Sequence, residues 1–356
     1  MFEFKKFPKD IRELINLRHW ENDGYMPCGI GELTLLQSLP VFVVGGVGRL
    51  SELKGLNNLK GELRIEKLEN VRDVVVESRE ANLREKKYIR FLGLQWRNLL
   101  AQSNEDAETL MEGLHPPPSL EKLRIRGYGG MRFPSWMSNG GLSHLKSLLL
   151  LDLENVEYVG CSSEGPFFPF LEKLEIYQMP ALKELWRDLP THPPPSCPCL
   201  SHLLIHNCDG LASLELHSSP LLSHLDIQSC RELTSLELHS SPLLSKLRIS
   251  VCRKLTSLLL PLSPVLSSLE ISSCYKLTSL LLPLSPVLSS LKISSCHKLT
   301  SLLLPLSPSL SSLDIWDCPD LASLELHSYP LLSSLSIAHC GLLTSLLVPP
   351  SRLLSQ

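Results

Sequence analysis

LLSHLDIQSCRELTSLELHSSP, residues Leu221–Pro242, contains two short apolar alternations, Leu225-x-Ile227 and Leu236-x-Leu238, eleven residues apart. A period of two places the apolar side chains on one face of a strand and the intervening residue on the other. Cys230 follows the first alternation at a fixed offset, and the pattern Leu-x-x-Leu-x-Ile-x-x-Cys-x-x-Leu recurs along the chain. Cys208, Cys230, Cys252, Cys274, Cys296, Cys318 and Cys340 stand 22 residues apart without exception. A single 22-residue unit has no second layer against which to bury its apolar face, so units of this kind stack on one another.

The pattern is a leucine-rich-repeat signature. It predicts an α/β leucine-rich-repeat solenoid with a parallel β-sheet on the concave face and a mostly extended or looped convex side with few helices. The return side carries Pro242, Pro264, Pro286, Pro308 and Pro330 beside serines, which excludes a regular helix interior there. The seven cysteines are expected to form a buried ladder near backbone amides. Their stacked geometry and a reducing compartment favour free thiols over disulfides.

The expected organisation is residues 1–200 as irregular leucine-rich repeats with a loop and helix insertion near 98–118, residues 201–348 as regular repeats with the Cys ladder, and 349–356 as a C-terminal tail. In the irregular part the strand pattern runs through Leu63, Leu92, Leu123, Leu148 and Leu174. Its longer units leave room for helical turns, and SNEDAETLMEGL (Ser103–Leu114) has the acidic first turn of a helix. HPPPS (His115–Ser119) and THPPPSCPC (Thr191–Cys199) read as loops.

Charge and composition narrow the function. The 356 residues carry 34 Lys plus Arg against 37 Asp plus Glu, with a pI near 6.5, so no basic excess marks a nucleic-acid or anionic-membrane binder. A hydrophobic fraction of 43% suffices for a core and argues against disorder. No uninterrupted apolar run is long enough for a membrane span, and the N-terminus lacks the apolar core of a secretory signal. With no Asn-x-Ser/Thr sequon, the expected location is cytoplasmic.

Catalytic signatures are missing: there is no His-Glu-x-x-His, no paired Cys-x-x-Cys and no Gly-x-Ser-x-Gly. Cys197 and Cys199 form one close pair without the second pair a zinc site needs. GGVG (Gly45–Gly48) lacks the lysine of a phosphate loop and reads as a turn after a strand. No enzyme activity, metal or cofactor is expected.

Binding is expected on the residues flanking the inward Leu and Ile of each concave strand, because these align into columns. The candidates are Lys122, Arg124, Arg126 and Tyr177 in the irregular part. In the regular coils they are His224, Asp226, Lys246, Arg248, Glu270 and Lys292, followed by Asp314 and Trp316. Trp316 stands out because the other regular coils place a smaller residue there and aromatic residues are enriched among interface hot spots. Coils 255–276 and 277–298 are identical except for Glu270 against Lys292 and Tyr275 against His297. That pattern reads as a fixed core under a surface free to change. On the return side, Leu259, Leu281 and Leu303 take the outward position held by Glu215, Glu237 and Glu325, which predicts an exposed apolar ridge.

LINLRHW (Leu14–Trp20), MPCGIGELTLLQSLPVFVVG (Met26–Gly45), LSELKGLNNLKGELRIEKLENV (Leu50–Val71), YIRFLGLQW (Tyr88–Trp96) and LEKLRIRGYGGMRFPSWM (Leu120–Met137) are more specific than the generic repeat. Through them the chain resembles the leucine-rich-repeat region of plant coiled-coil NB-ARC (NBS-LRR) disease-resistance receptors. The resemblance implies a non-catalytic solenoid that senses a pathogen effector or a guarded host protein and also meets the NB-ARC domain of its own receptor. The ADP/ATP-binding domain of that family is expected to be absent from this chain, since no Gly-x-x-x-x-Gly-Lys-[Ser/Thr] occurs. An F-box-type substrate-recognition module and a truncated decoy or adaptor paralogue are the alternatives.

Overall fold

The computed structural model describes residues 11–21, 26–46, 48–97, 102–138, 141–161, 168–187, 197–216, 219–260, 262–282, 285–304, 307–325 and 329–347. The expected tail 349–356, Val47 of the GGVG turn and most of the Thr191–Cys199 loop lie outside these residues. The chain divides into two compact units, residues 1–171 with 186–195, and residues 172–185 with 196–356.

In the first unit, five strands pair in parallel and in chain order: Val41–Val43, Lys60–Glu66, Tyr88–Gln95, Lys122–Arg126 and Ser147–Leu151. Leu63, Leu92, Leu123 and Leu148 stand side by side and are buried, as the spacing requires. Two helices longer than one turn, and a short one at Ser135–Ser138, accompany these strands. The first, α1 (Val74–Glu80), is capped by Asp73, whose carboxylate accepts the Val76 N–H at 3.0 Å. The second, α2 (Asn104–Gly113), is capped by the Ser103 hydroxyl, which accepts from the Asp106 N–H. Such caps satisfy amides that have no partner within the helix. The α2 helix falls inside the Ser103–Leu114 stretch; α1 is an addition, because VVVESRE favours strand by composition. The helices meet at Gly113, where a Cβ would lie 2.0 Å from the Ser78 hydroxyl, so only glycine permits this approach.

The motif GYGGMRFPSWM is a loop that runs into the short helix Ser135–Ser138, and α2 holds it in place. Glu108 accepts the Met131 and Arg132 N–H groups, Glu112 accepts that of Ser135, and the Trp136 indole donates to the Met111 carbonyl. Tyr128 is fully buried beneath the loop, edge-on to Trp96. Lys86, also fully buried, donates to the carbonyls of Leu53 and Leu56 and to Asn57. It therefore terminates the 3-10 turn Leu50–Gly55 with a cation, and burial lowers its pKa to about 8.

In the second unit, eight parallel strands run from Lys173–Tyr177 through His202–His206, His224–Gln228, Lys246–Ser250, Ser268–Ser272, Ser290–Ser294 and Ser312–Trp316 to Ser334–Ala338. Their register repeats without a shift, so each residue stands beside its equivalent 22 positions away. Return segments such as Ser213–Leu216, Ser235–Leu238 and Ser257–Leu259 are extended, as expected, and pair into a second parallel ladder. Each interior coil buries the inward Leu and Ile of its concave strand almost completely, at about 1.5–3 kcal/mol apiece.

Polar ladders accompany the apolar ones. The hydroxyls of Ser223, Ser245, Ser267, Ser289, Ser311 and Ser333 each donate to the carbonyl of the equivalent serine one coil earlier at 2.9–3.1 Å. Cys208 through Cys318 are buried, and each thiol donates to the carbonyl two residues before it. The backbone of the preceding coil's cysteine bonds to the sulfurs of Cys252 and Cys274, which matches the expected position near amides.

The residue before each ladder position takes the left-handed conformation: Gln178, Asn207, Ser229, Val251, Ser273, Ser295, Asp317 and His339 have φ between 51° and 57°. This bend turns the chain from the strand into the Cys-x-x-Leu turn, which the Leu N–H closes on the Cys carbonyl. A β-branched residue is strained in this conformation. Val251→Asn should therefore stabilise the protein by about 1 kcal/mol in urea denaturation, because asparagine tolerates that region. Equal or lower stability would contradict the strain.

The thiols give the fold an alkaline limit. Burial pushes the Cys274 thiol up to about 12 and that of Cys252 higher still. The unfolded thiols ionise near pH 9 and the folded ones do not, so their contribution is complete below pH 9 and is lost as pH rises further. Cys252 and Cys274 should each add about 1.4 kcal/mol per pH unit to the slope above pH 9. Cys274→Ala should flatten that slope by one thiol's share in denaturation curves taken between pH 9 and 11.

Candidate protein-interaction surface

The same alternation that buries Leu and Ile turns every second strand residue toward solvent. Among the twelve candidates, Lys122, Arg126, Lys246, Arg248, Lys292 and Trp316 are exposed and the other six are partly so. Ser250, in the same column as Trp316, is an exception: it was expected outside and is buried. The first unit holds Lys122, Arg124 and Arg126 on one strand, where Arg126 pairs with Asp152 at 2.9 Å. The remaining candidates lie in the second unit.

Tyr177 opens a cluster of aromatic and imidazole side chains. Its ring stands edge-on to His206 at 5.0 Å, and its hydroxyl donates to Glu175. Burial, then the Glu175 and Asp226 carboxylates, raise its pKa above the ordinary value. His202 and His224 stack at 4.4 Å, and each ring nitrogen Nδ1 meets the hydroxyl of the preceding serine. Burial, then His202 and Lys246, lower the pKa of His224, which favours its neutral ring. Asp226 lies 3.5 Å from the His206 ring and accepts two hydrogen bonds from Gln228. Burial opposes its charge, yet His206, Gln228 and Arg248 together hold its carboxyl below the usual value.

From Asp226 onward the central outward column reads Asp226, Arg248, Glu270, Lys292, Asp314, each in register with the next. Charge alternates at every step, and Arg248 lies 3.4 Å from Glu270. Adjacent parallel strands are about 4.8 Å apart, where like charges repel and opposite charges attract. The Glu270 and Lys292 difference between near-identical coils is thereby explained. A second Glu would have faced both Glu270 and Asp314, so this position is constrained by its neighbours and not free to change. The other difference is also a matched pair, since Tyr275 and His297 stack at 4.8 Å and His297 meets Asp317 at 3.1 Å. Lys292→Glu should lower stability by about 1 kcal/mol at low ionic strength, and 1 M NaCl should remove most of the loss. A loss independent of salt would argue against charge alternation as the cause.

Register thus sets each of these five charges beside an opposite one, and Arg248 and Glu270 form an ion pair. Trp316 is 46% exposed and touches His339 edge-on. On the return side Leu259, Leu281 and Leu303 are 50%, 70% and 56% exposed, as the ridge reading expects. Among the described residues, no three His, Cys, Asp or Glu side chains are placed to hold a metal ion. Among those residues, too, no helix is long and apolar enough to cross a membrane.

The sequence reading passed over Arg64, Phe91, Gly93, Leu149 and Leu151, which share the outward columns of Lys122–Arg126. The signal was present: each has the offset from Leu63, Leu92 or Leu148 that placed Lys122, Arg124 or Arg126 outside.

Residues 50–179 match the family model of R13L1/DRL21 leucine-rich repeats. The putative disease resistance protein RGA1 of Solanum bulbocastanum is 38% identical over 196 residues, covering 53% of this chain and 19% of that protein. The putative disease resistance RPP13-like protein 1 of Arabidopsis thaliana is 33% identical over 147 residues, covering 39% of this chain and 14% of its own length. The chain thus spans less than a fifth of these curated relatives. Among solved structures, YopM of Yersinia enterocolitica aligns with 98% of this chain and 94% of its own at 16% identity and a TM-score of 0.31. Over residues 50–179 the chain is similar to R13L1/DRL21 leucine-rich repeats, and over about half its length it is similar to plant disease-resistance proteins.

Proposed function

We propose that this chain is the non-catalytic recognition solenoid of a plant intracellular immune receptor. It acts in the cytoplasm and senses a pathogen effector or a guarded host protein. The observation that carries the reading is the outward sheet face of the second unit. A repeated, interchangeable frame there presents aromatic and imidazole side chains at some coils and not at others: Tyr177, the His202 and His224 stack, and Trp316. Aromatic groups of this kind supply most of the binding energy in protein interfaces, because they bury a large area with little entropy loss. The similarity to disease-resistance proteins supports placing that recognition in defence. The switch domain of the same receptor is a second partner, met through the basic strand Lys122–Arg126.

The test is affinity capture of host and pathogen proteins on the full chain, followed by titration of each captured protein. Tyr177→Ala combined with Trp316→Ala should weaken a true partner at least tenfold while the denaturation midpoint stays unchanged. Full binding by that double variant and by Arg124→Ala would overturn recognition through the sheet face.

A further inference from the structure

The strand Ser334–Ala338 pairs with Ser312–Trp316 on one side, and among the described residues no strand pairs with its other side. Ser334 donates its N–H to the Ser311 carbonyl, and the Ala338 carbonyl accepts the Asp317 N–H, so these residues turn their backbone groups toward the preceding coil. Alternation then aims the N–H and C=O of Leu335 and Ile337 at the open side. The apolar face is open there too: Leu335 is 47% exposed, whereas Leu291 and Leu313 at the same position are buried.

A free edge of this kind is normally blunted by a lysine, a proline or a bulge. This one has none of them: SLSIA holds no charge and no proline, and its register with the neighbouring strand does not shift. The stretch 329–347 lacks Asp, Glu, Lys and Arg altogether, while the six regular coils before it each carry at least two such residues. Loss of charge is thus confined to the coil that carries the free edge.

The strand is also complementary to itself. A half-turn about an axis through Ser336, perpendicular to the sheet, sets Leu335 opposite Ile337 of a second copy and Ser334 opposite its Ala338, as an antiparallel pair. Inward apolar side chains then meet inward apolar side chains, and small outward ones meet small outward ones. Leu335 and Ile337 exchange the backbone hydrogen bonds left free on both copies. A pivot at Leu335 would set Ser333 against Ile337, and one at Ile337 would set His339 against Leu335, so the apolar pattern selects Ser336. The same rotation applied to Ser312–Trp316 would bring Asp314 against its own copy.

We propose that this edge docks a second copy of the chain, through an antiparallel pair of Ser334–Ala338 strands, into a two-fold dimer whose sheet runs on from one copy to the other. The edge offers backbone groups and small uncharged side chains to a strand of its own pattern, and it carries no charge to select a different one. The half-turn uses the same edge on both copies, so assembly stops at two.

The experiment is sedimentation equilibrium on the full chain over a range of concentrations. The mass should rise from 39.8 kDa to twice that value and no further. In Ser336→Lys the new ammonium groups face each other across the axis, where opposed Cα atoms lie about 4.5 Å apart, and the dimer should weaken at least tenfold. Within the coil that position stands beside Asp314, so the substitution supplies an opposite charge and the denaturation midpoint should not fall. Ser336→Glu should weaken self-association likewise, and an equimolar mixture of the two variants should associate again, since lysine then faces glutamate. A monomer at every concentration, growth beyond the dimer, or no recovery in the mixture would overturn the proposal. So would self-association indifferent to both Ser336 variants, which is the result expected of docking through the ridge of Leu259, Leu281 and Leu303.

Discussion

In-register parallel pairing sets every other choice in the second unit. The strands bond amide to carbonyl with the coil 22 residues away, so each side chain stands about 4.8 Å from its own equivalent. A residue type must therefore be compatible with a copy of itself or be answered by a suitable neighbour. Leucine and isoleucine stack well on themselves, and so the core is uniform. Serine hydroxyls do so by donating to the carbonyl below. Cysteine satisfies its thiol within its own coil and takes little room.

Charge does not stack on itself, and the consequences follow along the outward column. Asp226, Arg248, Glu270, Lys292 and Asp314 alternate, and at the turn Glu232 pairs with Lys254 and Lys298 with Asp320. Flat rings offer another solution, as in the His202 and His224 stack and the Tyr275 and His297 stack. A conspicuous charge in such a solenoid is thus more often one partner in an internal pair than a free contact. Trp316 in one unit and Arg124 in the other depart from this pattern: the register neighbours of Trp316 are Ser294 and Ala338, and those of Arg124 are Gly93 and Leu149.

The first unit relaxes the strict period and uses the extra length. Helices α1 and α2 replace the extended return, and the acidic residues of α2 organise the loop of Tyr128 and Trp136. That arrangement gives a physical reason for LEKLRIRGYGGMRFPSWM as a unit: its tryptophan and tyrosine are anchors for a loop, not contacts for a partner.

The 22-residue period by itself determined the strands, their parallel order, the inward Leu and Ile, the cysteine ladder and the extended return, because period-two alternation and a fixed repeat length leave one way to bury the apolar residues. The twelve outward candidates were legible from the same alternation. The tertiary structure alone decided which of them are occupied by one another. Register brings together residues 22 positions apart, and local pattern contains no measure of which charge will find its opposite. The same holds for α1, for the left-handed residue before each cysteine and for the cation of Lys86 under the Leu50–Gly55 turn. Gly93 looks like an ordinary weak point of a strand in the sequence; only the register that lays the Arg64 side chain over it shows why no side chain fits there.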